Sequence, residues 1–136
     1  MTVVYSKGFY QTCEKSDGAV LAAADDLFTI TGAPVLVTEF VGIVTTDIGG
    51  VANCQIKLVV TEPAGTVNLS TNVAIDSDAA GTSYTFTVVD PAVLTPTTAG
   101  ALLVIPRIAW LCPIGTINAT CSAARTGNIK WYIGYY

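Results

Sequence analysis

Four cysteines, Cys13, Cys54, Cys112 and Cys121, are the side chains of this sequence best suited to covalent chemistry. A nucleophilic cysteine normally needs a base beside it, and a mixed zinc site needs imidazole ligands. The chain contains no histidine, and none of the cysteines has the C-x-x-C spacing of redox and zinc motifs. Two interpretations are favoured: the thiols are small apolar residues of a core, or a disulfide joins Cys112 to Cys121 across a hairpin.

Carboxylates are the second group with chemical potential. Asp76 and Asp78 resemble the start of a calcium-binding loop, but Ala80 and Thr87 occupy two positions that need oxygen ligands. The sequence places no two carboxylates at the separation of roughly 5 to 10 Å that glycoside hydrolysis requires. We therefore predict no catalytic residue, no metal site and no cofactor, and the sequence favours a protein that is not an enzyme.

The composition excludes further classes of function. Of the 136 residues, 51% are hydrophobic and only 12% are charged, about half the usual charged share of ~25%. The net charge is -4 and the basic residues are scattered, which argues against a nucleic-acid partner. The most apolar window, residues 99–115, is shorter than a membrane span of ~20 residues and is interrupted by Pro106, Arg107 and Pro113. Neither a membrane anchor nor a secretory signal is expected.

These side chains must be positioned by β-strands. Thr, Val and Ile make up about a third of the chain, and 12 Gly and 6 Pro separate short β-favouring runs. We predict an all-β, single-domain antiparallel β-sandwich, jelly-roll-like, over residues 19–136, preceded by an extended N-terminal arm over residues 1–18. The predicted strands cover residues 27–31, 35–46, 52–61, 66–70, 73–75, 83–89, 101–105, 108–111, 116–123 and 128–136.

Alternation within these strands predicts which faces are buried. In residues 52–61 it places Cys54, Ile56, Leu58 and Val60 on one face. The near-continuous apolar runs 101–105 and 108–111 indicate burial on both faces.

Glu39 is unusual because it lies within an apolar strand. Alternation places it on the face opposite Phe40, together with Val35, Val37 and Val41. If that face is buried, the carboxylate needs a partner. An inter-subunit ion pair with Arg107 or Lys57 is one interpretation, and a satisfied or exposed edge residue is the other.

Aromatic residues cluster at both ends of the chain. The first ten residues hold three, which indicates either a frayed terminus or an arm that packs on a neighbouring subunit. In the last strand, Trp131 and Tyr135 face one way and Tyr132 and Tyr136 the other, so core packing, an interface and a ligand platform remain open. The interface candidates are Tyr5, Phe9, Tyr10, Glu39, Arg107, Trp131, Tyr132, Tyr135 and Tyr136.

Four sequence segments resemble strands and turns of a known group of proteins; they cover residues 26–38, 41–46, 115–121 and 126–135. The group consists of small β-rich structural proteins of tailed bacteriophages, of the capsid decoration or cement type. The resemblance covers about residues 26–136 and contains no catalytic motif. It implies a β-rich homotrimer, made in the host cytoplasm, that sits on the outer surface of the capsid and binds the major capsid protein.

The sequence thus leads to a function outside catalysis. An apolar excess in a chain with few charges and no membrane span indicates surface that becomes buried in an assembly. The leading hypothesis is a capsid cement protein of the virion that stabilises contacts between major capsid protein subunits. The alternative is a tail or head fibre or receptor-binding module that recognises host surface glycans.

Overall fold

A computed structural model describes residues 2–4, 10–20, 24–87, 94–98, 100 and 107–136. In this part of the chain there are twelve strands and no helix. Consequently, none of the described residues belongs to a helix that could span a membrane.

The first sheet has six strands, in the order β1-β3-β11-β5-β6, with β7 also paired to β5. Its pairings are antiparallel except for β1, which runs parallel to β3. These strands are β1 (Thr2–Val4), β3 (Ala24–Thr31), β5 (Asn53–Thr61), β6 (Ala64–Asn68), β7 (Val73–Ala74) and β11 (Gly115–Cys121).

The second sheet also has six strands, in the order β2-β12-β4-β8-β9, with β10 paired to β4. All of its pairings are antiparallel. These strands are β2 (Gln11–Val20), β4 (Val35–Gly49), β8 (Ser83–Phe86), β9 (Leu94–Thr97), β10 (Trp110–Cys112) and β12 (Arg125–Tyr135). The two sheets pack face to face, so the predicted all-β sandwich is confirmed, while the strand order had not been predicted.

The N-terminal residues contribute to both sheets. β1 lies at one edge of the first sheet, and β2 pairs with β12 at an edge of the second. Residues 11–18 of the predicted arm are therefore part of this edge strand. Tyr5 and Phe9, like the predicted strand at residues 101–105, lie outside the described residues.

An aromatic cluster joins the two sheets at the centre of the core. The Phe40 ring of β4 lies 5.7 Å from that of Phe28 in the first sheet and 5.3 Å from that of Phe86, centroid to centroid. Trp110 and Trp131 lie 5.9 and 5.5 Å from Phe40 on its own sheet. Phe40 is thus the side chain around which the aromatic core is organised.

Gly42 makes room for one of these rings. It pairs directly with Trp131, and a Cβ atom on Gly42 would lie 2.5 Å from Cζ3 of the indole. The absence of a side chain therefore lets the indole lie flat on β4. The irregularities of this strand pair lie elsewhere, near Glu39 and at its far end.

A bulge in β4 reverses part of the predicted alternation. Gly134 pairs with Glu39, but the next residue, Tyr135, pairs with Val37, so Thr38 is the extra residue. Because of this insertion, Val37 and Phe40 both face the core. The prediction that Glu39 shares the face of Val35 and Val37 was wrong, and Glu39 lies on the outer face instead.

The cysteines correct a second prediction. Cys54 and Cys121, which lie directly opposite each other on β5 and β11, form a disulfide. The predicted Cys112–Cys121 bond was wrong because Cys112 lies on β10 in the second sheet. Cys112 is a buried thiol, and this burial raises its pKa to about 12. It serves as the small core residue that the alternative interpretation predicted.

Candidate interaction surface

The outer face of the second sheet brings together most of the described interface candidates. Alternation along β12 places Trp131, Ile133 and Tyr135 on one face and Tyr132 and Tyr136 on the other, as predicted. The first three face the core, and the two tyrosines face outward. Trp131 is only 2% exposed and Tyr135 only 5%. These two residues therefore belong to the core of this chain, and their assignment as interface candidates is corrected.

Four side chains form a continuous line across this face, which we call the apolar row: Leu111, Leu36, Tyr136 and Tyr10. Leu111 and Leu36 are direct partners on β10 and β4, and Leu36 exchanges two backbone hydrogen bonds with Tyr136, of 3.1 and 2.9 Å. The rings of Tyr136 and Tyr10 lie 5.5 Å apart. Leu111 is 73% exposed and Leu36 37%, so the row presents a substantial apolar surface to solvent.

Glu39 lies beside the apolar row with two partners from its own chain. The Tyr10 hydroxyl donates a hydrogen bond to Oε2 of Glu39, and the Arg107 guanidinium lies 3.6 Å from Oε1. The predicted inter-subunit ion pair is replaced by a pair within the chain, while Lys57 lies on β5 in the other sheet. Glu39 is thus a satisfied residue on the outer face.

Gly134 makes the contact between Tyr10 and Glu39 sterically feasible. A Cβ atom at Gly134 would lie 2.6 Å from the Tyr10 hydroxyl and 2.8 Å from Oε2 of Glu39. Only a residue without a side chain leaves the space through which the tyrosine on one side of β12 reaches the carboxylate on the other. This glycine is therefore part of the site.

A second ion pair lies further along the same face. The ammonium of Lys130 lies 3.4 Å from Glu14 and 5.4 Å from the centroid of the Tyr132 ring. Such exposed pairs contribute little to stability. Their effect on the surface is electrostatic, because Lys130 and Arg107 are each matched by a carboxylate.

A shallow cavity of about 270 Å³ opens between these groups. Its walls are apolar, with Val41, Ile43 and Tyr132 among them, and Glu39 is its charged residue. The volume is slightly below the range of about 300 to 1,000 Å³ that is typical of small-molecule sites. It is large enough to accept a side chain of a partner protein.

The two aspartates that resemble the start of a calcium-binding loop have other roles. In the part of the chain that the structure describes, no three metal-ligating side chains cluster. Asp76 and Asp78 instead stabilise loops: Asp76 accepts a hydrogen bond of 3.1 Å from the Ala52 amide, and Asp78 accepts one of 2.5 Å from the Tyr84 hydroxyl.

No family model, no curated protein and no solved structure matches this chain. The interpretation of the outer face therefore depends on its own geometry and chemistry.

Sequence reasoning missed both leucines of the apolar row. Leu111 falls in the run 108–111, for which burial on both faces was predicted, yet it is the most exposed large hydrophobic residue described. A signal was present for Leu36, which lies between Val35 and Val37 and must face away from them by alternation. For Leu111 the chain carries no such signal, since an apolar run looks the same whichever face is open.

The Tyr10–Glu39 contact makes stability depend on pH in alkaline solution. The hydrogen bond to Glu39, followed by burial, raises the pKa of Tyr10 from 10.0 to about 12. The folded state therefore binds this proton more tightly than the unfolded state, and its contribution is complete below pH 10 and is lost as the pH rises towards 12. Between pH 10 and pH 12, we expect the unfolding free energy of the Tyr10→Phe variant to fall less steeply than that of the wild-type protein. Urea denaturation at a series of pH values measures both. Equal slopes for wild-type and variant would show that the contact is absent in solution.

Proposed function

We propose that this protein is a structural component of a tailed-phage virion, a capsid cement or decoration protein that binds the outer shell and stabilises contacts between major capsid protein subunits. The proposal includes a homotrimer, as the resemblance of residues 26–136 implies. Support comes from that resemblance and from the β-sandwich with a row of exposed apolar side chains on one outer face. The contact residues assigned to this face are the apolar row together with Glu39, Arg107 and Tyr132.

The exposure of the apolar row is the observation that carries the proposal. Soluble monomers rarely expose contiguous apolar patches larger than a few hundred Å², and the largest exposed patch often marks an interaction site. Here two leucines and two tyrosines adjoin a cavity and a charged pair. Tyrosine and arginine are enriched where binding energy is concentrated, and this patch offers Tyr10, Tyr132, Tyr136 and Arg107.

The mechanism is stabilisation by mass action. A protein that binds the assembled shell but not loose subunits stabilises the shell by a free energy that grows with the logarithm of the ratio of its concentration to its dissociation constant. The paired charges on the face suit this role. Glu39 and Glu14 are each already matched by a cation, so burying the face against another protein leaves no unpartnered carboxylate among them.

A second candidate function is supported by the tyrosines. Tyr10, Tyr132 and Tyr136 are all partly exposed on one face, near a carboxylate and a cavity. Aromatic rings next to polar groups are also found in sugar-binding sites, which keeps the glycan-binding fibre or receptor-binding module as the alternative.

We expect Leu111→Asp to weaken binding to the capsid at least about tenfold, because it places a charge at the most exposed residue of the apolar row. The measurement uses particles of the phage that encodes the chain, from which its gene has been deleted. Purified protein is added back, and its bound copy number and the heat resistance of the particles are recorded. Val51→Asp is the matched control, since Val51 is 63% exposed and lies in the turn between β4 and β5, away from the apolar row.

The outcomes separate the two functions. Three results together support the cement protein. Many copies bind per particle, wild-type protein and Val51→Asp restore heat resistance, and Leu111→Asp does not. Particles that resist heat equally well without the protein would overturn it. Few copies per particle, together with binding to host polysaccharide that is lost in Tyr136→Ala, would favour the glycan-binding module.

A further inference from the structure

β6 is an exposed edge strand without the usual protection. All five of its residues are exposed, and it pairs with β5 on one side only; no other described strand lies against its outer edge. Natural edge strands are commonly protected by charged side chains or proline. The sequence of β6, Ala-Gly-Thr-Val-Asn, contains neither.

The direction of the free backbone groups follows from the hydrogen bonds around β5. The Leu69 amide, just after β6, donates to the Ile56 carbonyl at 2.9 Å, whereas the Thr61 amide points to the other neighbour and donates to Ile114 at 3.1 Å. Bonding alternates along an antiparallel strand. Hence Gly65 and Val67 direct their backbone groups towards β5, and Ala64, Thr66 and Asn68 direct theirs outward.

We propose that β6 pairs antiparallel with the β6 strand of a second copy of this chain, around a two-fold axis at Thr66. The outward groups lie symmetrically about Thr66, so this register satisfies all of them. Thr66 of one chain faces Thr66 of the other, and Ala64 of each chain faces Asn68 of the other. The first sheets of the two molecules then form one continuous sheet.

The side chains of β6 favour a copy of itself as the partner. The two-fold register sets Val67 opposite Gly65, a branched side chain opposite none, and Thr66 opposite Thr66, a favourable cross-strand pair. The strand carries no charge, so the edge offers no like-charge repulsion even though the chain has a net charge of -4. A foreign strand would not need this symmetry.

The contact is small, which sets its expected strength. Five paired residues span roughly 17 Å, and a single strand pair falls below the standard interface of about 1,600 Å². We therefore expect weak association in dilute solution, which becomes effective where many copies are held close together. The inference does not rest on the proposed function.

Cysteine cross-linking tests the register directly. In a hydrogen-bonded antiparallel pair the Cα atoms are about 5.5 Å apart, within the disulfide range of roughly 4.4 to 6.8 Å. In a Cys13→Ser background and under mild oxidation, we expect Thr66→Cys to form covalent dimers by itself. Ala64→Cys and Asn68→Cys should each form no covalent dimer alone and should cross-link to each other when mixed. Asn72→Cys, exposed in the loop that follows β6, is the matched control.

A charge variant provides an independent measurement. Thr66→Lys places two like charges opposite each other on the axis, and we expect it to raise the dissociation constant of the two-fold contact at least tenfold in sedimentation equilibrium, whereas Asn72→Lys should not change it. The inference is overturned if Ala64→Cys and Asn68→Cys each cross-link with themselves, which indicates a parallel strand pair. It is equally overturned if Thr66→Cys cross-links no better than Asn72→Cys at high protein concentration, which would leave β6 as a free edge or a site for a foreign strand.

Discussion

Truncation of Phe40 to alanine is expected to lower the free energy of unfolding by roughly 3 to 5 kcal/mol, the range for large aromatic residues removed from a core. Phe40 is 2% exposed and contacts rings from both sheets, including Phe28 across the sandwich and Phe86 beside it. Its removal leaves a cavity that β4 cannot close, because the position is fixed by pairing with β12. Typical domains have a total stability of about 5 to 15 kcal/mol, so this loss is a large fraction.

The measurement is urea denaturation followed by tryptophan fluorescence, which suits this site because Trp110 and Trp131 both contact Phe40. Tyr132→Ala is the control, since Tyr132 is an aromatic residue on the outer face of the same sheet. We expect its cost to be clearly smaller. Equal losses for the two variants would mean that the aromatic cluster is not the centre of the core.

Regular alternation made much of the sandwich predictable from sequence. In β5, Cys54, Ile56, Leu58 and Val60 all face the core as predicted, because a period of two is a local property that the chain displays by itself. The same holds for the two faces of β12. The positions of most strands followed from these patterns and from the glycines and prolines between them, whereas β2 and β9 had not been predicted as strands.

The predictions of the Glu39 face and of the cysteine pairing were wrong because both features depend on contacts between distant parts of the chain. The bulge at Thr38 arises from the pairing of β4 with β12, and nothing within residues 35–46 reveals it. The cysteine pairing follows from strand order, since β11 lies between β3 and β5 in the first sheet. The short spacing between Cys112 and Cys121 suggested a hairpin, but the chain crosses from the second sheet to the first between these two residues.

In the candidate site, too, the sequence predicted the residues but not their arrangement. Aromatic and charged side chains are unusual in this apolar chain, so the sequence could identify Tyr10, Glu39, Arg107, Tyr132 and Tyr136. Their grouping on one outer face could not, because it requires β2, β12 and β4 to be neighbours. The partners of Glu39 and the two leucines of the apolar row emerge only from that order.

Removal of the Cys54–Cys121 disulfide is the second change with a large expected effect. The two cysteines are 67 residues apart in sequence, and cross-linking loops of 15 and 100 residues is worth about 3 and 4.7 kcal/mol in the chain-entropy description. We therefore expect the double variant Cys54→Ala/Cys121→Ala to lose about 4 kcal/mol of unfolding free energy. Urea denaturation of the oxidised protein and the variant measures the difference.

A reductant supplies the internal control for this prediction. Wild-type protein in reductant should fall to the stability of the double variant, and the variant itself should not respond, because it lacks the Cys54–Cys121 disulfide. If the variant lost stability in reductant as well, the effect would have to be assigned to another thiol. A loss below about 1 kcal/mol in both experiments would contradict the prediction.

The loss is expected to act on the unfolded state, since backbone pairing continues on both sides of the bond. Cys54 and Cys121 lie at the end of a ladder that continues through Gln55 and Thr120, and beyond it the Ser122 amide donates to the Asn53 carbonyl at 2.8 Å. The folded variant therefore keeps the β5–β11 register, while its unfolded chain is freed to expand. An expanded unfolded state exposes more surface, so the dependence of the unfolding free energy on urea should become steeper in the variant. An unchanged slope, combined with faster amide exchange in β5 and β11, would instead place the effect in the folded sheet.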